Sequence, residues 1–172
     1  SRGIIKDRIG IEHRPEVVNK KRRVGDFEID LVIGKDHKGA LVTINDRVTG
    51  QLKMAKTNTK EASEIATKVI ELLQEWKPIL HTITSDNGKE FANHKLIAEK
   101  LEIDYYFANP YCSWERGANE NLNGLIRQYF PKKSNFELIT NEHVNQVVDK
   151  LNNRPRKRHG FKTPNEMFEQ HL

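Results

Sequence analysis

A single cysteine, Cys112, stands in a chain of 172 residues, so neither an internal disulfide nor a thiolate-rich zinc site can form. The seven histidines are scattered, and no pair has the spacing of a zinc hydrolase. No apolar run approaches the roughly 20 residues that cross a bilayer, and no secretory apolar segment stands near the start. Low-complexity tracts and internal repeats are absent, and no serine or tyrosine sits in a nucleophile motif. A chain of this size, with 36% hydrophobic residues in periodic blocks, can bury one core. A globular domain in a reducing cytoplasm is the expectation.

Net negative charge is also lacking. The formal charge is +5, and residues 1–23 carry all of it, with eight Lys/Arg against three acids. The remaining 149 residues hold 21 of each sign. The excess includes Arg22 and Arg23, and a second basic cluster follows at Arg154, Arg156, Lys157 and Arg158. Short basic blocks beside a neutral, acid-centred domain suit contacts with a phosphate backbone. A solvated linker and a solvated loop are the alternative. Residues 1–22 read as a basic linker or arm, and 23–172 as the folded domain.

Three acids in different settings carry the chemistry: Asp30 in FEIDLVIG, Asp86 in ITSDNGKEF and Glu120 in WERGANENLNG. From Val24 the pattern alternates as in a strand, with Phe27, Ile29, Leu31 and Ile33 on one face and Asp26, Glu28 and Asp30 on the other. Ala40 to Asn45 and Gln51 to Ala55 form a hairpin across the turn at residues 46–50. A helix capped by Asn58 carries the stripe Ala62, Ile65, Ala66, Val69, Ile70, Leu73 and Trp76, and Pro78 forbids its continuation. Ile79 to Thr84 is a short buried strand, and Asp86-Asn87-Gly88 falls just past its C-terminal end, where open α/β sheets gather ligands.

A short helix over His94 to Leu101 leads to a fifth strand, Ile103 to Phe107. The next helix runs from Ser113 to Tyr129, with Ala118, Leu122, Leu125, Ile126 and Tyr129 on its apolar side. Arg116, Glu120, Asn123 and Arg127 fall on the other side. Thr140 caps a last core helix bearing Val144, Val147, Val148 and Leu151, and Thr163 to Glu166 is a capping box. The order predicts an α/β fold: a mixed five-stranded sheet, three strands antiparallel and two parallel, with helices on both faces.

Asp30 shares its strand face with Asp26 and Glu28, so its position alone does not single it out. Two unscreened carboxylates 4 Å apart repel by about 4 kcal/mol at an effective dielectric of 20. A fold that gathers three therefore calls for a cation, and hard oxygen ligands suit Mg²⁺ or Mn²⁺. Perturbed acid pKa values are expected at such a site.

GDFEIDLVIG, ITSDNGKEF, NPYCSWERGANENLNGLIRQYFPK and LNNRPRKRHGFKTPNEMF together resemble a DDE transposase of the insertion-sequence thirty family, within the ribonuclease H-like integrase superfamily. The likeness covers residues 24–169 and matches the family's three acids to Asp30, Asp86 and Glu120. Where the family more often has leucine, this chain has His159. The resemblance implies two-metal phosphoryl transfer: hydrolysis at the element's ends, then attack of the freed 3′-hydroxyl on target DNA. It implies Mg²⁺ or Mn²⁺, two ions when DNA is bound, held by those three acids. It also implies DNA as partner, a homo-oligomer of at least two copies, a bacterial cytoplasmic setting at the nucleoid, and a helix-turn-helix region outside this sequence.

Candidate DNA contacts are Arg22, Arg23, Asn87, Lys89, Arg116, Asn123, Arg127, Lys132, Lys133, Arg154, Arg156, Lys157 and Arg158, holding backbone phosphates while the acids hold metal. Tyr111 and Trp114 could stack on an unpaired base, although aromatic residues in such a loop more often anchor packing. Two rival readings stand beside this one: another ribonuclease H-like nuclease or integrase, and a DNA-binding module without catalysis.

Overall fold

The computed structural model describes residues 4–110 and 119–172, and only the backbone of Asn119 and Glu120. Five strands form one sheet: β1 Asp26–Ile33, β2 Ala40–Asp46, β3 Leu52–Thr57, β4 Thr82–Ser85 and β5 Asp104–Phe107. Their order is β3-β2-β1-β4-β5, with β1, β2 and β3 antiparallel and β4 and β5 parallel to β1. The expected mixed sheet is therefore present. Among the described residues six α-helices accompany it: α1 Glu16–Asn19, α2 Ala62–Leu73, α3 His94–Leu101, α4 Asn119–Tyr129, α5 Asn141–Asn152 and α6 Pro164–Glu169.

Side chains alternate along β1, so one strand feeds two cores. Phe27 and Ile29 pack with Ile65, Val69 and Leu73 of α2 and Ile97 of α3. Val32 and Leu41 pack on the other side with Leu122 and Ile126 of α4 and Val144, Val147 and Leu151 of α5. The latter face also carries Asp26, Glu28 and Asp30.

That acidic face departs from the ordinary solvated strand face, because Asp26 and Glu28 are fully buried. Arg23 grips Asp26 with two bonds of 3.1 and 2.9 Å, and the Thr82 hydroxyl adds one of 2.8 Å. Glu28 pairs with the equally buried Arg47 at 3.3 Å. A central strand covered on both faces keeps acids only where cations enter with them.

Residues 4–22 pack on the domain instead of trailing from it as a linker. Ile5 joins the α2–α3 core and Val18 is fully buried. The Phe107 amide donates to the Ile9 carbonyl at 2.9 Å, and Gly10 bridges Phe107 in parallel. A one-residue bridge, a 3-10 turn and a four-residue helix leave no periodicity to read, which is why sequence patterning missed them.

Two further boundaries differ from expectation. The N-cap of α2 is Glu61, not Asn58, because the Thr59 hydroxyl takes the Glu61 amide at 2.7 Å. Beyond Leu73 the chain tightens into a 3-10 turn, Gln74–Ile79, which accommodates Pro78. That turn delays β4 to Thr82. Gly25 sets the entry to β1, with φ of +105° and its amide on Asp46 at 2.9 Å. A β-carbon there would lie 2.0 Å from the Ile79 carbonyl oxygen, so only glycine fits.

Candidate active site

The site lies at the C-terminal ends of β1 and β4. These neighbours run parallel, with Glu28 beside Thr84. Two residues further along lie Asp30, within β1, and Asp86, just past the end of β4, and the charges of both reach Glu90. Both are half-buried.

Each carboxylate is held by backbone. The Asp30 Oδ1 accepts the Leu31 amide at 2.9 Å, and the Asp86 Oδ1 accepts the Gly88 amide at 2.8 Å. The second bond closes an Asx turn that fixes the loop after β4. Asn87 locks the same loop, donating its amide to the Ala108 carbonyl and accepting from the Arg8 guanidinium.

Helix α4 brings the third element. The Asn123 Nδ2 donates to the Asp30 Oδ2 at 3.4 Å, and Arg127 one turn later donates to the Ile33 carbonyl at 3.0 Å and the Phe130 carbonyl at 3.3 Å. The polar side of α4 thus faces the end of β1. The Asn123 Oδ1 is buried and has no hydrogen-bond partner among the described residues. Glu120 lies one turn before Asn123 in this helix. Its side chain is outside the described residues, as are Tyr111, Cys112, Trp114, Glu115 and Arg116.

A carboxylate that sequence reasoning passed over also belongs here. Glu90, in the 3-10 turn Lys89–Phe91, is half-buried while Phe91 anchors the turn in the core. Burial raises its pKa, its own amide opposes this, and the negative charges of Asp86 and then Asp30 raise it further. The available signal was its place four residues after Asp86, where the Asx turn folds the chain back. Among the described residues no three acidic, histidine or cysteine side chains are grouped to hold a metal.

The other candidate DNA contacts whose side chains are described divide into two groups. Arg23, Asn87, Arg127 and Arg156 are committed to bonds inside the fold; the Arg156 guanidinium, for instance, donates to the Leu151 carbonyl at 2.8 Å. Arg22, Lys89, Lys132, Lys133, Arg154, Lys157 and Arg158 are exposed. No helix among the described residues is long and apolar enough to cross a membrane.

No family model matches the chain. It is 56% identical over 169 residues to the transposase for insertion sequence element IS4351 of Bacteroides fragilis, covering 98% of this chain and 52% of that protein. It is 37% identical over 162 residues to the transposase InsI for insertion sequence element IS30C of Escherichia coli K12, covering 92% and 42%. The chain thus spans about half the length of the curated relatives it matches. Among solved structures, the catalytic core domain of BIV integrase superposes with a TM-score of 0.63 at 18% identity, over 85% of this chain and 94% of that one. This likeness establishes the fold as that of an integrase core.

Proposed function

We propose that this chain, which belongs to the insertion-sequence transposases of the IS30 family, is the catalytic core that cuts DNA at the element's ends and transfers the freed 3′-hydroxyl into target DNA. What supports this reading is the place of Asp30 and Asp86, each two residues beyond the Glu28–Thr84 pair of the parallel strands β1 and β4, with α4 tied to Asp30 through Asn123.

The residues fit a divalent cation. All donors are hard oxygens, and the buried Asn123 Oδ1 beside Asp30 is an orphaned one. Asp30, Asp86 and Glu120 would hold Mg²⁺ or Mn²⁺, two ions once DNA is bound. Bound there, the ions supply Lewis-acid activation of the attacking oxygen and neutralisation of the leaving one. The chain itself holds Asp30 and Asp86 at fixed backbone bonds and positions α4, while exposed lysines and arginines hold phosphates in register. DNA and at least one further copy of the protein are the partners, since two ends must be paired, and the setting is the cytoplasm at the nucleoid. Residues 4–22, packed on the core, lead into β1.

A ribonuclease H-like nuclease would hydrolyse DNA but would not join a pre-cut 3′ end to a target. Strand transfer from a pre-cut end separates the two. Metal binding is testable in the isolated chain. At 100 times its dissociation constant, Mn²⁺ stabilises by about 2.7 kcal/mol. For a domain of this length that raises Tm by roughly 5–10 °C. EDTA should reverse the shift, and Asp86→Ala should remove most of it. Equal melting of parent and variant, with and without Mn²⁺, would count against the site.

A further inference from the structure

Beside α4, on the face that carries Asp30, a cleft of about 380 Å³ opens between that helix and the segment 154–158. Asn121, Leu122 and Leu125 form one wall, and three arginines and Lys157 form the other. Asn45 and Gly50 of the β2–β3 hairpin close the end.

The basic wall is built, not loosely draped. The Arg156 amide donates to the Lys162 carbonyl at 3.0 Å, and the Phe161 amide returns to the Arg156 carbonyl at 2.8 Å. A His159 ring nitrogen lies 2.8 Å from the Thr49 carbonyl, which pins the segment to the hairpin. Histidine at this position thus serves a bond that leucine could not make. Arg158 lies against bare backbone at Gly50, where φ is +79° and a β-carbon would come within 2.7 Å of its Nη2.

Four cations converge here, and among the described residues none of them makes an ion pair. Burial, then the charges of Arg158 and Arg154, lowers the pKa of half-buried Arg156; Arg158, though solvent-exposed overall, is lowered by partial desolvation against the opposing charge of Asp46. Asp46 offsets part of the charge at Arg158 from a distance, and the excess of positive charge that remains in the concavity suits an anionic ligand. The apolar wall of Leu122 and Leu125 adds what a phosphate alone does not need. Guanidinium groups and leucine side chains lining one cleft suit a base as well as its phosphate. A B-form duplex, whose major groove alone is about 12 Å wide, can lie across the mouth but cannot enter.

We propose that this cleft holds an unpaired nucleotide of a DNA strand, with phosphate on Arg154 and Lys157 and base against Leu125. Only the identity of the nucleic acid as DNA rests on the function proposed above. The cleft abuts α4, the helix whose Asn123 contacts Asp30.

Arg154 and Lys157 are exposed and contribute only backbone atoms to the hydrogen bonds of the fold, so the double variant Arg154→Ala/Lys157→Ala should retain its structure. Fluorescence anisotropy in EDTA would compare parent and variant on a 15-nucleotide single strand and on a blunt duplex. The single strand should bind at least about 10-fold more weakly to the variant, with the slope of log K against log salt reduced by about 1.4, or 0.7 for each of two phosphates. Duplex affinity should change less than about two-fold. Equal losses on both substrates would mean backbone contact alone. Equal losses, no loss on the single strand, or a parent that ignores single strands would each overturn the proposal. The Mn²⁺ shift in Tm, measured on the same two proteins, reports the acid site separately. Its absence in the parent strikes the catalytic reading and leaves the cleft untouched.

Discussion

Asp86→Asn should reduce strand cleavage by at least about 10³-fold while leaving the melting temperature in EDTA within a degree or two of the parent. The substitution is nearly isosteric, and its side-chain oxygen can still accept the Gly88 amide that closes the loop after β4. What it removes is one negative charge just past the end of β4, two residues beyond the Glu28–Thr84 pair. A cation held by carboxylates supplies several kcal/mol of transition-state stabilisation. Each 1.36 kcal/mol is a factor of ten in rate, so losing about 4 kcal/mol gives three orders of magnitude. Binding of DNA, which the proposal assigns to exposed lysines and arginines away from Asp86, should persist. A cleavage rate within ten-fold of the parent would remove Asp86 from the catalytic set. Retained cleavage in both Asp86→Asn and Asp30→Asn would leave the ends of β1 and β4 without their assigned role.

Arg47→Met should be the most destabilising single change among the buried ion pairs. Arg47 is 2% exposed and its partner Glu28 is fully buried, so the charge left behind has no route to water. Breaking such a pair from one side costs about 3–5 kcal/mol, whereas replacing both partners by apolar groups of similar size is often neutral. At 2–4 °C for each kcal/mol in a domain of this size, Tm should fall by roughly 6–20 °C. The double variant Glu28→Leu/Arg47→Met should recover most of that loss. The Arg47 Nε also donates to the Val18 carbonyl at 3.3 Å, so the same substitution should loosen residues 15–20. Scanning calorimetry of the three proteins decides the matter, and a single-variant loss below about 1 kcal/mol would show that Glu28 does not carry a buried charge.

Much of the fold was legible because local chemistry and tertiary environment agree. Helix α3 begins and ends at His94 and Leu101 as the pattern indicates. Thr140 and Thr163 cap their helices, the latter in a full capping box. The hairpin of β2 and β3 pairs in antiparallel register across the expected turn. Legibility failed where burial overrides polarity. Asp26 and Glu28 read as a wet strand face, yet both are buried with arginines that lie outside β1, in the preceding segment and in the β2–β3 turn. No local pattern announces a counter-ion 19 residues away.

The candidate site follows the same division. Asp30 and Asp86 could be singled out only by their motifs, since Asp26 and Glu28 have the same parity on the strand as Asp30. Glu90 was passed over because its approach to Asp30 and Asp86 depends on an Asx turn and a 3-10 turn, two irregular elements with no period. The contact from Asn123 to Asp30 depends on where α4 docks, which periodicity does not specify. For the basic residues, composition located the charge but not its use. Arg127 and Arg156 hold carbonyl groups of the fold, while Arg154 and Lys157 project from it.

The most direct test is anomalous diffraction from crystals of the chain grown with Mn²⁺ and a DNA strand end. A peak within about 2.5 Å of carboxylate oxygens from Asp30, Asp86 and Glu120 together is the result expected. A chain that binds DNA but shows manganese elsewhere, or Glu120 turned away from the two aspartates, would contradict the account.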